Sequence, residues 1–205
     1  MINIVKRLYS GKKVEKYDSN RKMNPRWYFE EHCVSRMIQN TLQKDSTIDS
    51  FMDIPIGTNR FHMLIEGHPN LTRALGVDYS DDMLTMAASK QTQKYSYEKH
   101  DIFTGPFNQK TGIVLCLRFL NLFDWPSARK AIRNLSNSTE KYIILSIRLV
   151  DDDYNGKPVL ENKIHLHKEA LFYEAINADN LIVDSKECYE DTKQGTYCIF
   201  LLKHD

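Results

Sequence analysis

Between Ile48 and Asp78 the sequence reads IDSFMDIPIGTNRFHMLIEGHPNLTRALGVD, and the spacing of its turns and acids leaves few folds open. An apolar run with Ile48, Phe51 and Met52 ends at Asp53 and gives way to Pro55, Gly57 and Thr58, after which Arg60 to Glu66 suits a helix. A second apolar run, Leu71 to Val77, closes on Asp78, 21 positions after Gly57. The pattern predicts strand, tight turn, helix and strand, with an acid ending each strand. Backbone approaches a ligand closely only where no Cβ intrudes, and a carboxylate accepts from two hydroxyls at once. A glycine turn after one strand, with an acid some twenty residues later ending the next, is the arrangement that binds a nucleoside in doubly wound α/β proteins.

The rest of the chain continues the alternation. Trp27, Phe29, Cys33, Met37, Ile38 and Leu42 recur near helical spacing behind Pro25, which suits a first helical turn, so residues 25–44 are expected to form a helix ahead of the first strand. Ser80 is positioned to cap a helix running to about Lys90, with acids in its first turn, and Tyr95 to Lys99 reads as a short third strand ending at His100, Asp101 and Ile102. Thr111 to Leu117 is a continuous apolar run, as in a parallel strand buried on both faces. Asp124 to Leu135 is expected as a helix and Lys141 to Val150 as a β-branched strand. A turn-rich excursion, Asp151 to Pro158, and a connection from Val159 to His167 lead into a helix over Lys168 to Asn177. Leu181 to Cys188 and Thr196 to Lys203 then read as a hairpin turning at Asp191 to Gly195. Centred on Lys193, that hairpin brings Cys188 opposite Cys198, and both are expected to stay thiols in a reducing compartment.

A chain of 205 residues with 41% hydrophobic content suits one α/β core: residues 1–205 as a single domain, with a basic arm at 1–24 and the core at 45–205. No run of eighteen apolar residues occurs and Met1 to Ser10 lacks a signal peptide's apolar stretch, so a soluble cytoplasmic protein without membrane attachment is expected. Four cysteines without Cys-x-x-Cys spacing give no metal site. The net charge of +1 hides a gradient, since residues 1–44 carry ten Lys or Arg against four acids while 150–205 carry six against twelve. Such a gradient can steer an anionic partner to the amino end through Lys12, Lys13, Lys16, Arg21 and Lys22, but no aromatic-interleaved nucleic-acid motif accompanies it, and a solvated arm is the favoured reading.

DIPIGTNRF followed by GVDYSDDML resembles motif I and the next acidic loop of the class I S-adenosylmethionine (SAM)-dependent methyltransferases. Asp53, Gly57, Thr58, Arg60 and Phe61 match a common variant of that motif, and Asn59 stands where its last glycine is usual. Asn tolerates φ > 0, so the turn can survive, with a side chain that takes space near the cofactor. The resemblance implies a doubly wound, seven-stranded, mostly parallel sheet with one antiparallel strand from the C-terminal hairpin. It implies SAM as cofactor and transfer of a methyl group to an O or N atom of a small molecule.

By the same resemblance Asp53, Pro55, Gly57, Thr58 and Arg60 bind the cofactor, with Gly57 and Thr58 against the methionine part of the donor and Asp53 attracting its ammonium group; Asp78 holds the ribose, and Tyr79 and Met83 border the adenine. Asp101 accepts from the adenine amino group and Ile102 lies against the ring, while Leu117 and Arg118 face the sulfonium. The Asp- or Asn-Pro-Pro-aromatic signature of nucleic-acid amino-methyltransferases is replaced here by CLRFLNLF, which argues against that acceptor. Candidates for catalysis are Arg118, to orient an acidic acceptor, and His165 and His167, two residues apart on the connection expected over the cleft and equally readable as surface histidines. Tyr17 and Trp27 are candidates to cap an aromatic acceptor. A SAM-binding module without catalysis, and a nucleic-acid methyltransferase using the basic arm, are the alternatives.

Overall fold

The computed structural model of the chain describes residues 24–90, 92–155, 164–190 and 195–205. The basic arm with Tyr17, the end of the turn-rich excursion and the hairpin centre at Lys193 lie outside these residues. Asn24 opens helix α1 (Pro25–Lys44) by accepting the Arg26 amide at 2.9 Å. Its buried stripe is Trp27, Glu30, Cys33, Val34, Met37, Ile38, Thr41 and Leu42, the three-and-four spacing of an amphipathic helix. Strand β1 (Ser50–Asp53) is buried throughout and leads through the glycine turn to α2 (His62–Gly67). Strand β2 (Arg73–Asp78), helix α3 (Asp81–Ala88) and strand β3 (Tyr95–Lys99) follow. Ser80 caps α3 by accepting the Met83 amide at 3.3 Å, with Asp81 and Asp82 in the first turn where the helix dipole favours acids.

Strand β4 (Thr111–Cys116) is fully buried. A 3-10 turn at Leu120–Leu122 precedes α4 (Trp125–Asn137), whose cap Asp124 accepts the Ser127 amide at 3.1 Å. Strand β5 (Thr139–Val150), the two-residue β6 (His167–Lys168), α5 (Glu169–Ala178), β7 (Leu181–Glu190) and β8 (Thr196–His204) complete the chain.

The strands form one sheet in the order β3-β2-β1-β4-β5-β8-β7, with β6 beside β5, so the expected seven strands gain an eighth of two residues. Pairs β1/β2, β1/β4 and β2/β3 are parallel, while β8 runs antiparallel to both β5 and β7. This is the mostly parallel doubly wound sheet with a hairpin strand turned back into it. Residue contacts divide the chain into two compact units, one ending at Asp101 and including Thr111–Leu115, the other holding Ile102–Lys110 and Cys116 onward. Among the described residues no helix is long and apolar enough to cross a membrane.

The hairpin corrects one expectation. Cys188 and Cys198 face each other across β7 and β8, with Cα atoms 4.2 Å apart, and they are joined in a disulfide rather than left as thiols. Direct cross-strand opposition brings the two sulfurs within bonding reach, a consequence of register that cysteine spacing alone does not display.

Candidate functional site

In the first unit the chain leaves β1 at Asp53 and is stitched down on both sides. The Ile54 amide donates to the Leu115 carbonyl at 2.9 Å and the Ile56 amide to that of Val77 at 2.8 Å, with a cis bond at Ile54–Pro55 between them. Gly57 then takes φ 55 and Asn59 φ 54, the left-handed region that glycine enters freely and asparagine tolerates. A Cβ at Gly57 would meet nothing within 4 Å, so its face of the turn is open, and Thr58 beside it is buried.

Asp78 joins the two predicted loops. One carboxylate oxygen accepts the Gly57 amide at 3.0 Å and the other the Ser80 amide at 2.9 Å. A carboxylate offers about four acceptor sites, so both oxygens keep capacity for hydroxyls of a ligand. Asp53, also buried, makes no side-chain hydrogen bond among the described residues. Burial first, and the neighbouring Asp78 second, push its pKa well above the usual carboxylate range, while Arg60 opposes them. Burial likewise raises Asp78, against the lowering effect of the Ser80, Gly57 and Tyr79 amides. Two acids kept out of water beside each other favour a cation as their missing partner.

Not every expected residue turns to this acid pair. Arg60 reaches α1 instead, where its guanidinium donates to Glu30 Oε2 at 2.8 Å and to the Trp27 carbonyl and lies 3.6 Å over the Trp27 ring. Asn59 is fully buried, its Nδ2 donating to the Tyr97 hydroxyl of β3 at 3.1 Å. The side chain is thus drawn down onto β3, where sequence reading placed it near the cofactor. Trp27 is buried under Arg60, which makes it a helix-packing group and not an exposed cap. Met83 is buried, Tyr79 is exposed with the Lys99 ammonium 5.8 Å from its ring, and Asp101 follows β3 half-exposed.

In the second unit Ile102 is buried and its carbonyl accepts from Asn134 of α4. Leu117 is half-exposed just past β4, and Arg118 adopts φ 57 with its amide donating to Ser146 Oγ at 2.7 Å. A non-glycine residue held at positive φ at a strand end marks a place where backbone direction is fixed by its surroundings. The chain before β6 crosses this same loop, because the His165 amide donates to the Asn121 carbonyl at 2.7 Å. His167 is buried, its Nε2 3.4 Å from the Leu120 carbonyl and its ring 5.5 Å from that of Trp125. Burial drives its pKa down to about 4 and also lowers His165, which the Asp124 carboxylate pulls the other way. His165 is half-exposed, so of the two histidines it is the one within reach of a ligand. Phe103, Phe119 and Phe123 cluster nearby, with centroids 4.7 to 5.7 Å apart.

Glu30 and Ser146 escaped the sequence reading, and Asn121 was reached only as part of the CLRFLNLF stretch. Glu30 is an acid on the apolar stripe of α1, three residues after Trp27 and three before Cys33, and a charge at that spacing signals a buried partner. Asn121 and Ser146 hold the Arg118 loop but carry no pattern of their own, since Asn121 Oδ1 accepts the Arg148 amide at 2.6 Å only because β5 lies beside it. Among the described residues no three His, Cys, Asp or Glu gather as metal ligands.

No family profile and no curated protein matches the chain in sequence. Solved structures do match in shape. Magnesium protoporphyrin IX methyltransferase from Synechocystis, with bound S-adenosylhomocysteine (SAH), superposes with a TM-score of 0.78 at 13% identity, covering 100% of both chains. A SAM-dependent methyltransferase from Clostridium acetobutylicum gives 0.65 at 18% identity, over 83% of this chain and 90% of that one. The [4+2]-cyclase SpnF gives 0.62 at 10% identity, over 83% and 80%. The chain therefore has the class I SAM-dependent methyltransferase fold.

Proposed function

We propose that this chain is a SAM-dependent methyltransferase, one domain in extent, that methylates an O or N atom of a small molecule. The observation that carries the reading is the junction at Asp78, whose carboxylate is fixed by the Gly57 and Ser80 amides beside a second buried acid, Asp53. SAM suits this acid pair and glycine turn by its charge and its hydroxyl groups. It brings an ammonium group to two acids that no cation pairs directly among the described residues, ribose hydroxyls to a carboxylate with acceptor sites left, and it meets a backbone face at Gly57 that no Cβ obstructs.

When bound, SAM supplies an activated methyl group on a positively charged sulfur. The protein's own work is then alignment and exclusion of water. Gly57 and Thr58 give close backbone contact, Asp53 holds the ammonium, and Asp78 holds the ribose, with Tyr79, Met83, Asp101 and Ile102 around the base. Leu117 and Arg118 direct the methyl-bearing side. Arg60 acts through α1 and not on the donor. His165, half-exposed and with its pKa lowered by burial so that the neutral imidazole is favoured, is the candidate we assign to take a proton from the acceptor.

The likeness to a cyclase supports a second reading, in which the fold binds SAM or a related nucleoside without transferring its methyl group. Calorimetric titration with SAH tests the donor site, and Asp78→Ala should weaken binding at least tenfold. Labelled donor incubated with metabolite pools separates the two readings, since transfer of label to a small molecule supports methylation. Unchanged SAH affinity in Asp78→Ala refutes the site.

A further inference from the structure

Beside the acid pair lies a cation that does not join it. Arg60 comes three residues after Gly57, close enough that its charge lowers the Asp53 pKa, yet its guanidinium is held on α1. Among the described residues its partners there include Glu30 Oε2 at 2.8 Å, the Trp27 carbonyl and the Trp27 ring at 3.6 Å. Glu30 has 0% exposure, so solvent and salt screen its charge little, whereas Glu31, a second acid paired with Arg60 among the described residues at 3.9 Å, is 56% exposed and holds it weakly.

We propose that Glu30 is a positioning residue that keeps the Arg60 guanidinium away from Asp53 and Asp78, so that this carboxylate pair stays available to a cationic methyl donor. The inference rests on the donor-site reading above. Arginine has a long flexible stem and cannot be deprotonated in a protein. Released from Glu30, it would turn to Asp53, the buried acid its charge already reaches, which attracts it more strongly than the solvated Glu31 because the dielectric around it is lower. An internal ion pair would then occupy the place of the donor's ammonium group. Trp27 supports the same arrangement from the other side, fixing the guanidinium plane through its π face. Arg26, 3.9 Å from Glu30, leaves the acid a second cation but does not hold Arg60.

The test is SAH titration of the full chain by calorimetry, with thermal melts to check folding. Glu30→Gln keeps the shape and removes the charge, and it should weaken SAH binding by roughly tenfold, within the usual range of coupling between sites. The double variant Glu30→Gln/Arg60→Gln removes the freed cation and should return the affinity to within about threefold of the parent, a rescue that a purely structural helix contact would not show. If Glu30→Gln does not fold, the neutral double variant carries the comparison alone, and a tenfold loss in it overturns the proposal. Parent-like binding by Glu30→Gln, or equal losses in single and double variants, also overturns it while leaving the donor site intact. A parent protein that fails to bind SAH sinks the functional reading itself, and this inference with it.

Discussion

Gly76 offers the sharpest perturbation of the glycine turn without touching a proposed ligand contact. It pairs with Asp53 across β1/β2 and with Tyr97 across β2/β3, and the Ile56 side chain lies on its bare backbone. A Cβ built there would stand 2.2 Å from Ile56 Cδ1 and 2.9 Å from Tyr97 Cδ1. To accommodate Gly76→Ala, Ile56 must retreat by at least the 1.2 Å between 2.2 Å and the 3.4 Å edge of ordinary contact. Ile56 is buried and has little room to do so, its amide is tied to Val77, and the next residue is Gly57 with its bond to Asp78.

Overpacking of this kind costs about 1–3 kcal/mol. For a chain near 200 residues, ~2 kcal/mol lowers Tm by roughly 4–8 °C. Loss of the charge-assisted Gly57–Asp78 bond should weaken SAH binding by about tenfold. Gly112→Ala is the control. Its Cβ would meet Ile48 Cγ2 at 2.9 Å, at the start of β4 away from the turn, so it should lower Tm slightly and leave SAH affinity unchanged. Differential scanning fluorimetry and calorimetry read both effects. A Tm within about 1 °C of the parent together with unchanged SAH affinity for Gly76→Ala would refute the claim that Ile56 anchors the turn.

Protonation supplies two further tests. Because the Asp53 and Asp78 pKa values are raised in the folded state, the native chain binds more protons than the unfolded one above the ordinary carboxylate range, and their contribution to stability falls as pH rises through the raised values. A cation prefers both acids ionised, so SAM and SAH should bind more tightly with rising pH across the same window and release protons below it; calorimetry in buffers of different ionisation enthalpy measures this, and net proton uptake would contradict it. His167 works in the opposite sense. Its pKa of about 4 against an unfolded value of 6.5 makes its contribution full above pH 6.5 and lost as pH falls toward 4, by roughly 3 kcal/mol at most. Urea midpoints at pH 5 and 7 should therefore differ less in His167→Phe than in the parent, and an identical difference would remove His167 from the buried set.

Strand and helix identities were readable because each carries its own signal. Unbroken apolar runs gave β4 and β5, three-and-four spacing gave α1, and the acids closing β1 and β2 gave the nucleoside-binding arrangement. What stayed hidden depends on contacts between distant residues. Arg60 matches its motif as a sequence letter, yet its destination is decided by Glu30 and Trp27, which belong to a helix thirty-odd residues earlier. His165 and His167 look alike in sequence, but their order along a strand entry buries one against Leu120 and leaves the other accessible. The Cys188–Cys198 bond followed from hairpin register, which sequence gave correctly, while the oxidation state did not follow from it.

Asn59 shows how a departure from a motif can leave the motif's geometry intact. The last glycine of the usual pattern does two things, allowing positive φ and keeping the ligand face clear. Here the backbone sits at φ 54, which asparagine tolerates, and the side chain is taken up by a hydroxyl from β3. Tyr97 in turn shares its hydroxyl with Thr92 at 2.9 Å and donates to the Ala87 carbonyl at 3.2 Å, so it links the turn to the end of α3. Asn59 Oδ1 is buried without a hydrogen-bond partner among the described residues, a cost that offsets part of the Nδ2 bond. Asn59→Gly should therefore change stability by less than about 1.5 kcal/mol and leave SAH affinity near the parent's. Asn59→Gly and Tyr97→Phe should also be coupled, with an interaction energy of about 0.5–1.5 kcal/mol in a double-mutant cycle read by urea unfolding. Strict additivity would mean that the asparagine is held by its backbone alone. A gain of tenfold or more in SAH affinity for Asn59→Gly would mean that the side chain obstructs the donor after all.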